Sequence, residues 1–336
     1  MREICGNNTH RKSNIELLRV VSMFMVLMVH ASFLALGSPS KEYMLSYPCS
    51  AFLRCFSQSL SIVCVNCFII ISGWFCIRPR ISRLFELLFQ VAFFCVISLL
   101  VCLFFHVPIN EDICDYWKDV FFSDGFWFFR AYVILWLFSP VLNAFVEHSE
   151  RRQLKSFLVA FFVIQTMLSH KVGWFSRGYS PLSFMGLYLM TCYLRKYPSR
   201  ITSFSHYTYL LSYVVISILI TCVALFVIYF HVIDVDTLYA YSSPFVILSS
   251  MSFFMFFVKL SFTSRLVNCF AVSAFSIYLF HCNPLFFQPI YLTCIRDWYS
   301  LNVWTFLCYL FCFMCIIMVS SIIIDKVRLY IWKLFT

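Results

Sequence analysis

The stretch Asn14–His30, NIELLRVVSMFMVLMVH, decides the fold class of this chain. With the residues that follow it, the apolar run extends to about residue 36, which matches the ~20 residues that a membrane-spanning helix needs. Three of its side chains, Glu16, Arg19 and His30, are charged or titratable, and such groups are costly at membrane depth. We therefore interpret this stretch as a first membrane span that carries chemistry.

The composition extends this interpretation to the whole chain. Of 336 residues, 62% are hydrophobic and only 12% are charged, whereas a soluble domain carries about 25% charged residues. The apolar runs are too long and too continuous for the alternating strands of a membrane barrel. We predict an all-α polytopic membrane protein with a single domain, residues 1–336. The predicted spans, about ten, are 15–36, 55–76, 84–106, 126–146, 156–169, 181–194, 207–231, 243–260, 268–288 and 301–324.

The distribution of Lys and Arg predicts the orientation. With both termini in the cytoplasm, 17 of the 25 basic residues lie on the cytoplasmic side and six lie outside, as the positive-inside rule requires. This placement explains the net charge of +10. The predicted partner is therefore the lipid bilayer, and nucleic acid is not expected.

The cysteines predict neither a disulfide framework nor a metal site. Most of the 17 stand singly inside apolar runs, where a thiol behaves as a small hydrophobic group. Cys64 and Cys67 form a CxxC pair, but the pair lies in the middle of a span, and no such pair recurs with a histidine partner at zinc spacing. We expect no metal and no bound cofactor.

Helical geometry places Arg19 and His30 on one face. Eleven residues correspond to about three turns, or ~16 Å, and return to the same face within about 20°. Glu16 lies on this face one turn earlier. A neutral His30 would be available as a base. Simpler interpretations remain: a capping box of Ser13 with Glu16, an Arg19 that extends to the headgroups, and a His30 that bonds a neighbouring helix.

The first span resembles that of the membrane-bound acyltransferase family 3, whose signature is Arg-x10-His. Residues 67–86, CFIIISGWFCIRPRISRLFE, are similar to the family's Ser-Gly segment and its basic Arg-x-x-Arg loop. Weaker similarity continues in WFFRAYVILWLFSPVLN (127–143), MGLYLMTCYLRKYP (185–198), YSSPFVILSSMSFFMFF (241–257) and FSIYLFHCNPLF (275–286).

The resemblance implies a bacterial inner-membrane enzyme. Such an O-acetyltransferase moves an acetyl group from cytoplasmic acetyl-CoA, its substrate, to a hydroxyl of a glycan or an undecaprenyl-linked saccharide, as in O-antigen, capsule or exopolysaccharide. Whether the transferred group is acetyl or a longer acyl group such as succinyl stays open. A transporter or exporter of glycans or lipids without acyl-transfer chemistry is the alternative, since a polar stripe also suits a substrate path.

The resemblance also assigns roles to residues. Arg80 and Arg83, with Arg78 less favoured, are expected to hold the CoA phosphates because the guanidinium fork suits phosphate. His30 is the expected general base, with an acetyl-imidazole intermediate as the variant, and Arg19 with Glu16 completes the predicted catalytic set.

Four further residues are weaker candidates for the substrate cavity. Arg130 either steadies an oxyanion or anchors its helix at the interface. His281 either lines the cavity or bonds across helices. Ser72, beside Gly73, favours close helix approach over nucleophilic chemistry. Tyr132 belongs to the aromatic surroundings of Arg130.

Overall fold

The described part of the chain is helical throughout. A computed structural model describes residues 12–104, 113–122, 125–169, 171 and 173–335, and these contain no strand. The α-helices of the first half are α1 (Ser13–Val29), α2 (Lys41–Ser46), α3 (Pro48–Ser61), α4 (Cys64–Phe75), α5 (Ile81–Phe104), α6 (Ile113–Phe122), α7 (Trp127–His148), α8 (Arg151–Leu168) and α9 (Pro181–Lys196). Those of the second half are α10 (His206–Phe230), α11 (Val235–Leu238), α12 (Pro244–Lys259), α13 (Arg265–Ala271), α14 (Ala274–His281), α15 (Pro284–Phe286), α16 (Thr293–Trp298) and α17 (Val303–Phe335).

Within these residues, six helices are long and apolar enough to cross a membrane. They are Ser13–Leu34, Pro48–Phe75, Ile81–Phe104, Trp127–His148, His206–Phe230 and Val303–Phe335. A bent pair, Arg265–His281 with Pro284–Trp298, brings the number to seven if it counts as one span. The chain is therefore a multi-pass membrane protein. The predicted count of ten is not confirmed. The helices α8 and α9 occupy two of the predicted spans but are not among the helices that are long and apolar enough to cross, and α12 has only 16 residues.

Hydrogen bonds between helix ends define one end of the bundle. Asn14, at the start of α1, donates to the carbonyl of Leu260 just after α12 (2.9 Å), and Lys196, at the end of α9, donates to the carbonyl of Val146 near the end of α7 (2.6 Å). We call this the basic end, because Arg195 and Lys196 lie there. At the opposite end, Arg296 donates to the carbonyl of Ala35 beyond α1 (2.9 Å).

Small residues allow α9 to pack closely on its neighbours. A Cβ at Gly73 of α4 would lie 2.7 Å from the carbonyl oxygen of Tyr188, and a Cβ at Gly186 would lie 2.0 Å from the Phe161 ring of α8. Glycine at such positions lets membrane helices approach closely. The predicted packing role of the Ser72–Gly73 pair is confirmed at Gly73.

The helices lose their regularity around residues 30 and 282. After α1, a π-helical turn runs from His30 to Leu34. The chain then breaks between α14 and α15 with a 63° bend and forms a second π-helical turn over Phe287–Leu292. The region of the predicted span 268–288 is therefore not one uninterrupted helix. Asn283 caps the new helix, since its side chain accepts a hydrogen bond from the amide of Leu285. Pro284 occupies the first turn of that helix, and the preceding helix does not continue through it because proline lacks a backbone N–H.

The last helix is longer than predicted and contains a buried ion pair. The predicted last span ends at residue 324, and Arg328 is one of the 17 basic residues predicted on the cytoplasmic side. In the structure α17 continues to Phe335, and both Asp325 and Arg328 are buried. Arg328 Nε donates to Asp325 Oδ1 (2.7 Å), which also accepts from Gln90 of α5 (3.1 Å). Pairing and hydrogen bonding allow these charges to remain inside the bundle.

Candidate active site

A cavity of about 580 Å³ runs along the inner side of α1. Arg19 and His30 both line it, so the face predicted from their spacing is the face turned to the cavity. Besides these two, its polar lining residues include Gln58, Ser72, Gln90, Tyr132, Arg177 and Asp236. Apolar and aromatic side chains form the rest of the wall, as in most small-molecule sites.

Arg19 is held by Glu16 at the basic side of the cavity. Its Nη1 lies 2.8 Å from Oε1 and 3.0 Å from Oε2 of the carboxylate, one turn away on the same helix. Glu16 is buried and Arg19 is partly exposed. The capping-box interpretation is wrong, because Lys12 is the N-cap and makes no side-chain capping bond, while Ser13 Oγ accepts from the amide of Ser264.

His30 is paired with His281 across the bundle. His30 Nδ1 lies 3.1 Å from His281 Nε2, and His281 Nδ1 lies 2.6 Å from the carbonyl oxygen of Ile277. A carbonyl only accepts, so His281 carries its proton on Nδ1 and, when neutral, accepts at Nε2. His30 must then donate from Nδ1. The tautomers assigned by this network leave Nε2 of His30 unprotonated and suited to act as a base.

The surroundings hold this histidine pair in place. His281 is fully buried and is not among the cavity-lining residues, whereas His30 is partly exposed and lines the cavity. The Phe287 ring packs edge-on against His30, with centroids 5.2 Å apart. Cys282 places its Sγ 3.2 Å from His281 Nε2 and 3.8 Å from His30 Nδ1. His30 is thus the member of the pair that can meet a substrate.

The other end of the cavity is aromatic and charged. The ring of Trp127 lies 4.6 Å from that of Tyr179 and 6.1 Å from that of Tyr241, measured between centroids. Arg177 pairs with Asp234 (3.2 Å), and Asp236 also lines the cavity. Burial and the neighbouring Asp234 raise the pKa of Asp236 above its usual range, so its carboxyl keeps a donor proton to higher pH than an ordinary aspartate.

Comparison with known families decides what kind of protein carries this site. The model of the acyltransferase domain family (Acyl_transf_3) matches residues 12–326, nearly the whole chain. This chain belongs to the acyltransferase 3 family. No curated protein and no solved structure matches it.

The acyltransferase cavity includes some of the predicted residues and omits others. Ser72 and Tyr132 line it, and Ser72 Oγ donates to the carbonyl of Phe68 (2.9 Å) in the manner of a helix-satisfied hydroxyl. Arg130 lines an adjoining cavity of about 630 Å³, which shares Trp127 and Tyr179 with the first and is also lined by Ile134 and Pro181. Arg130 is therefore not among the residues that line the cavity with His30.

The three arginines predicted to bind CoA lie outside the cavity. Arg78, Arg80 and Arg83 are exposed at and before the start of α5, and Arg83 pairs with Glu86 (2.7 Å). None of the three is among the residues that line the cavity. Their assignment to the CoA phosphates stays a prediction about the surface of the basic end.

The sequence patterns did not point to several residues that line the cavity. Gln58 and Gln90 are buried and line the cavity, and Gln58 Oε1 has no hydrogen-bond partner among the described residues. Both are amides within apolar runs, a pattern that singles out polar groups at membrane depth. Asp236 lies in the four-residue helix α11 and Arg177 lies in a short helical turn, Ser176–Gly178, and nothing in the sequence pointed from either to the cavity.

Proposed function

We propose that this acyltransferase moves an acetyl group from cytoplasmic acetyl-CoA to a sugar hydroxyl of a cell-surface or lipid-linked glycan at the bacterial inner membrane. The observation that carries the proposal is a single cavity in which a histidine base lies between an arginine at the basic end and an aromatic, acidic region at the other end. A donor and an acceptor can therefore reach His30 from opposite sides.

The basic end suits the donor. Arg19 presents a planar guanidinium that Glu16 orients, and a fork of this kind recognises phosphate and carbonyl oxygens. We assign the pantetheine arm to the cavity beside α1, where Arg19 and the unpaired Gln58 oxygen can bind its amides and carbonyls. The nucleotide phosphates would remain at the surface near Arg80 and Arg83.

The opposite end suits a sugar. Carbohydrates bind with their apolar faces on aromatic rings and their hydroxyls on charged or amide groups, and Trp127, Tyr179 and Tyr241 supply the rings. Arg177 and Asp236 supply a donor and an acceptor at the same place. This arrangement favours a glycan acceptor over a purely apolar one.

The reaction follows from the histidine pair. His30 Nε2 takes the proton of the acceptor hydroxyl while the oxygen attacks the thioester carbonyl. The tetrahedral intermediate then collapses, the carbon–sulfur bond breaks, and the imidazolium of His30 returns its proton to the CoA thiolate. His281 acts as a positioning residue, because its Nε2 accepts from His30 Nδ1 and stabilises the charge that His30 gains.

Membranes that contain the chain test this assignment with labelled acetyl-CoA and the host glycan. We expect label in the glycan, and we expect His30→Ala to lower the rate by ~10²–10⁴-fold, the usual contribution of a general base. His148→Ala is the matched control, since this histidine is exposed at the end of α7 and bonds only a backbone carbonyl among the described contacts. Full transfer by a folded His30→Ala variant would refute the mechanism.

Direct attack differs from an acetyl-imidazole relay in one exchange reaction. We expect no exchange of label between acetyl-CoA and free CoA when the acceptor is absent, because direct transfer forms no acyl-enzyme. Exchange by the purified protein that disappears in His30→Ala would support the covalent variant instead.

A transporter is the second candidate function, and the broken span favours it. Discontinuous helices near the middle of the membrane form substrate sites in many transporters. Such a protein would move the glycan without forming an ester. This alternative would be favoured if the wild type transferred no label and both the wild type and His30→Ala transported unmodified glycan.

A further inference from the structure

Three potential metal ligands meet beside the cavity. They are His30 Nδ1, His281 Nε2 and Cys282 Sγ, and they lie within 4.8 Å of one another. The separations are 3.1 Å between the two nitrogens, 3.2 Å from Sγ to the His281 nitrogen and 3.8 Å from Sγ to the His30 nitrogen. The group joins the turn that follows α1 to the end of α14, and its two histidines are 251 residues apart in sequence.

The separations lie within about 0.4 Å of those in a tetrahedral zinc-type site. Bonds of ~2.0–2.1 Å to nitrogen and ~2.3 Å to sulfur place neighbouring ligand atoms about 3.3–3.6 Å apart. The outer nitrogen of His281 already binds the Ile277 carbonyl, which is the bond that fixes the tautomer of many metal-bound histidines. The soft thiol and the two imidazoles select zinc, cobalt or copper over magnesium or calcium.

We propose that His30, His281 and Cys282 form a zinc-class binding site that silences the transferase. Binding of the ion removes the Cys282 thiol proton to solvent and moves the His30 proton from Nδ1 to Nε2, so that one proton is released for each ion bound. His30 then has no free lone pair, and it no longer accepts the proton of the acceptor hydroxyl. The inhibitory half of this inference rests on the proposed role of His30.

The position of the ion explains why it would inhibit and not catalyse. His30 lines the cavity, whereas His281 and Cys282 are buried behind His30 and do not line the cavity. An ion held by Nδ1 of His30 therefore lies on the far side of the imidazole from the substrates. There it occupies the base without reaching the thioester.

Metal binding is tested directly on the purified full chain, without reference to activity. We expect one Co²⁺ per chain with a thiolate-to-cobalt absorption band, and one proton released for each ion. Cys282→Ser preserves the size of the side chain and should abolish the band and weaken Co²⁺ or Zn²⁺ binding at least tenfold. Cys312→Ser, an exposed cysteine of α17, is the matched control and should behave as the wild type.

Inhibition is tested with the label-transfer assay. Zn²⁺ at a concentration that saturates the wild-type site should stop transfer, and a chelator should restore it. Cys282→Ser, compared with its own rate in the absence of zinc, should resist the same Zn²⁺ concentration.

The two measurements fail separately. A wild type without the cobalt band, or a Cys282→Ser variant that retains it, overturns the metal site whatever the chain's activity. A Cys282→Ser variant that Zn²⁺ still inhibits overturns the silencing role. A chain that binds cobalt as expected but transfers no label in the absence of zinc refutes the proposed function and leaves the metal site standing.

Discussion

At the scale of single residues, the site depends on two side chains three turns apart on one helix. The spacing of Arg19 and His30 was sufficient to predict a shared face, and that face lines the cavity. The orienting hydrogen bond that Arg19 donates to Glu16, one turn earlier, lies within the same helix. Periodicity predicts such relations well, because helix geometry fixes them locally.

Arg19→Lys separates donor recognition from simple anchoring at the membrane surface. Lysine keeps the charge but loses the planar fork, so we expect the KM for acetyl-CoA to rise about tenfold, the loss of one charge-assisted bond, with little change in kcat. Steady-state kinetics with varied acetyl-CoA measures this. Arg177→Lys, at the other end of the cavity, is the control and should leave this KM unchanged. An unaltered KM in Arg19→Lys would favour the simple anchor.

The partner of His30 could not be predicted in the same way. His281 was a candidate, but its contact joins residues 251 apart, and helical periodicity says nothing about which faces meet. Cys282 was hidden for a further reason. It is one of 17 cysteines in an apolar chain, and only the break after α14 turns it toward the histidines.

At the scale of helices, charges inside apolar runs misled the sequence analysis. The predicted last span ends at residue 324, yet α17 continues through Asp325 and buries it against Arg328 and Gln90. The break at Cys282–Asn283 had a visible signal in the Asn283–Pro284 dipeptide, which marks a turn or a new helix start. The surrounding apolar run concealed that signal.

The buried pair on α17 should contribute far more to stability than an exposed one of equal length. Asp325→Leu leaves Arg328 buried and unpaired, and we expect it to destabilise the fold by ~3–5 kcal/mol. The double variant with Arg328→Leu should recover most of this loss, because no charge remains buried. Thermal denaturation of the detergent-purified protein measures both.

The matched control for this prediction is Glu86→Gln. Arg83 and Glu86 have the same spacing and the same 2.7 Å distance as the buried pair, but Arg83 is largely exposed and Glu86 is partly exposed. Exposed pairs contribute ~0–1 kcal/mol, so this variant should denature at nearly the wild-type temperature. Equal losses in Asp325→Leu and Glu86→Gln would contradict the role of burial.

At the scale of the whole molecule, composition and charge predicted a multi-pass helical bundle, and the structure and the family match agree with that prediction. The number of spans was less predictable. Short helices such as α9 are held by close packing at Gly73 and Gly186. A hydropathy pattern does not register such packing, so it alone does not decide whether these helices cross the membrane.

Sealed membrane vesicles of known orientation test the central claim, that one cavity joins a donor end to an acceptor end at His30. We predict that labelled acetyl-CoA supports transfer only when it is supplied at the face with the basic end, and that the labelled glycan appears at the opposite face. The His30→Ala chain in the same vesicles should transfer no label. Transfer from acetyl-CoA supplied on the acceptor side of intact vesicles would contradict it.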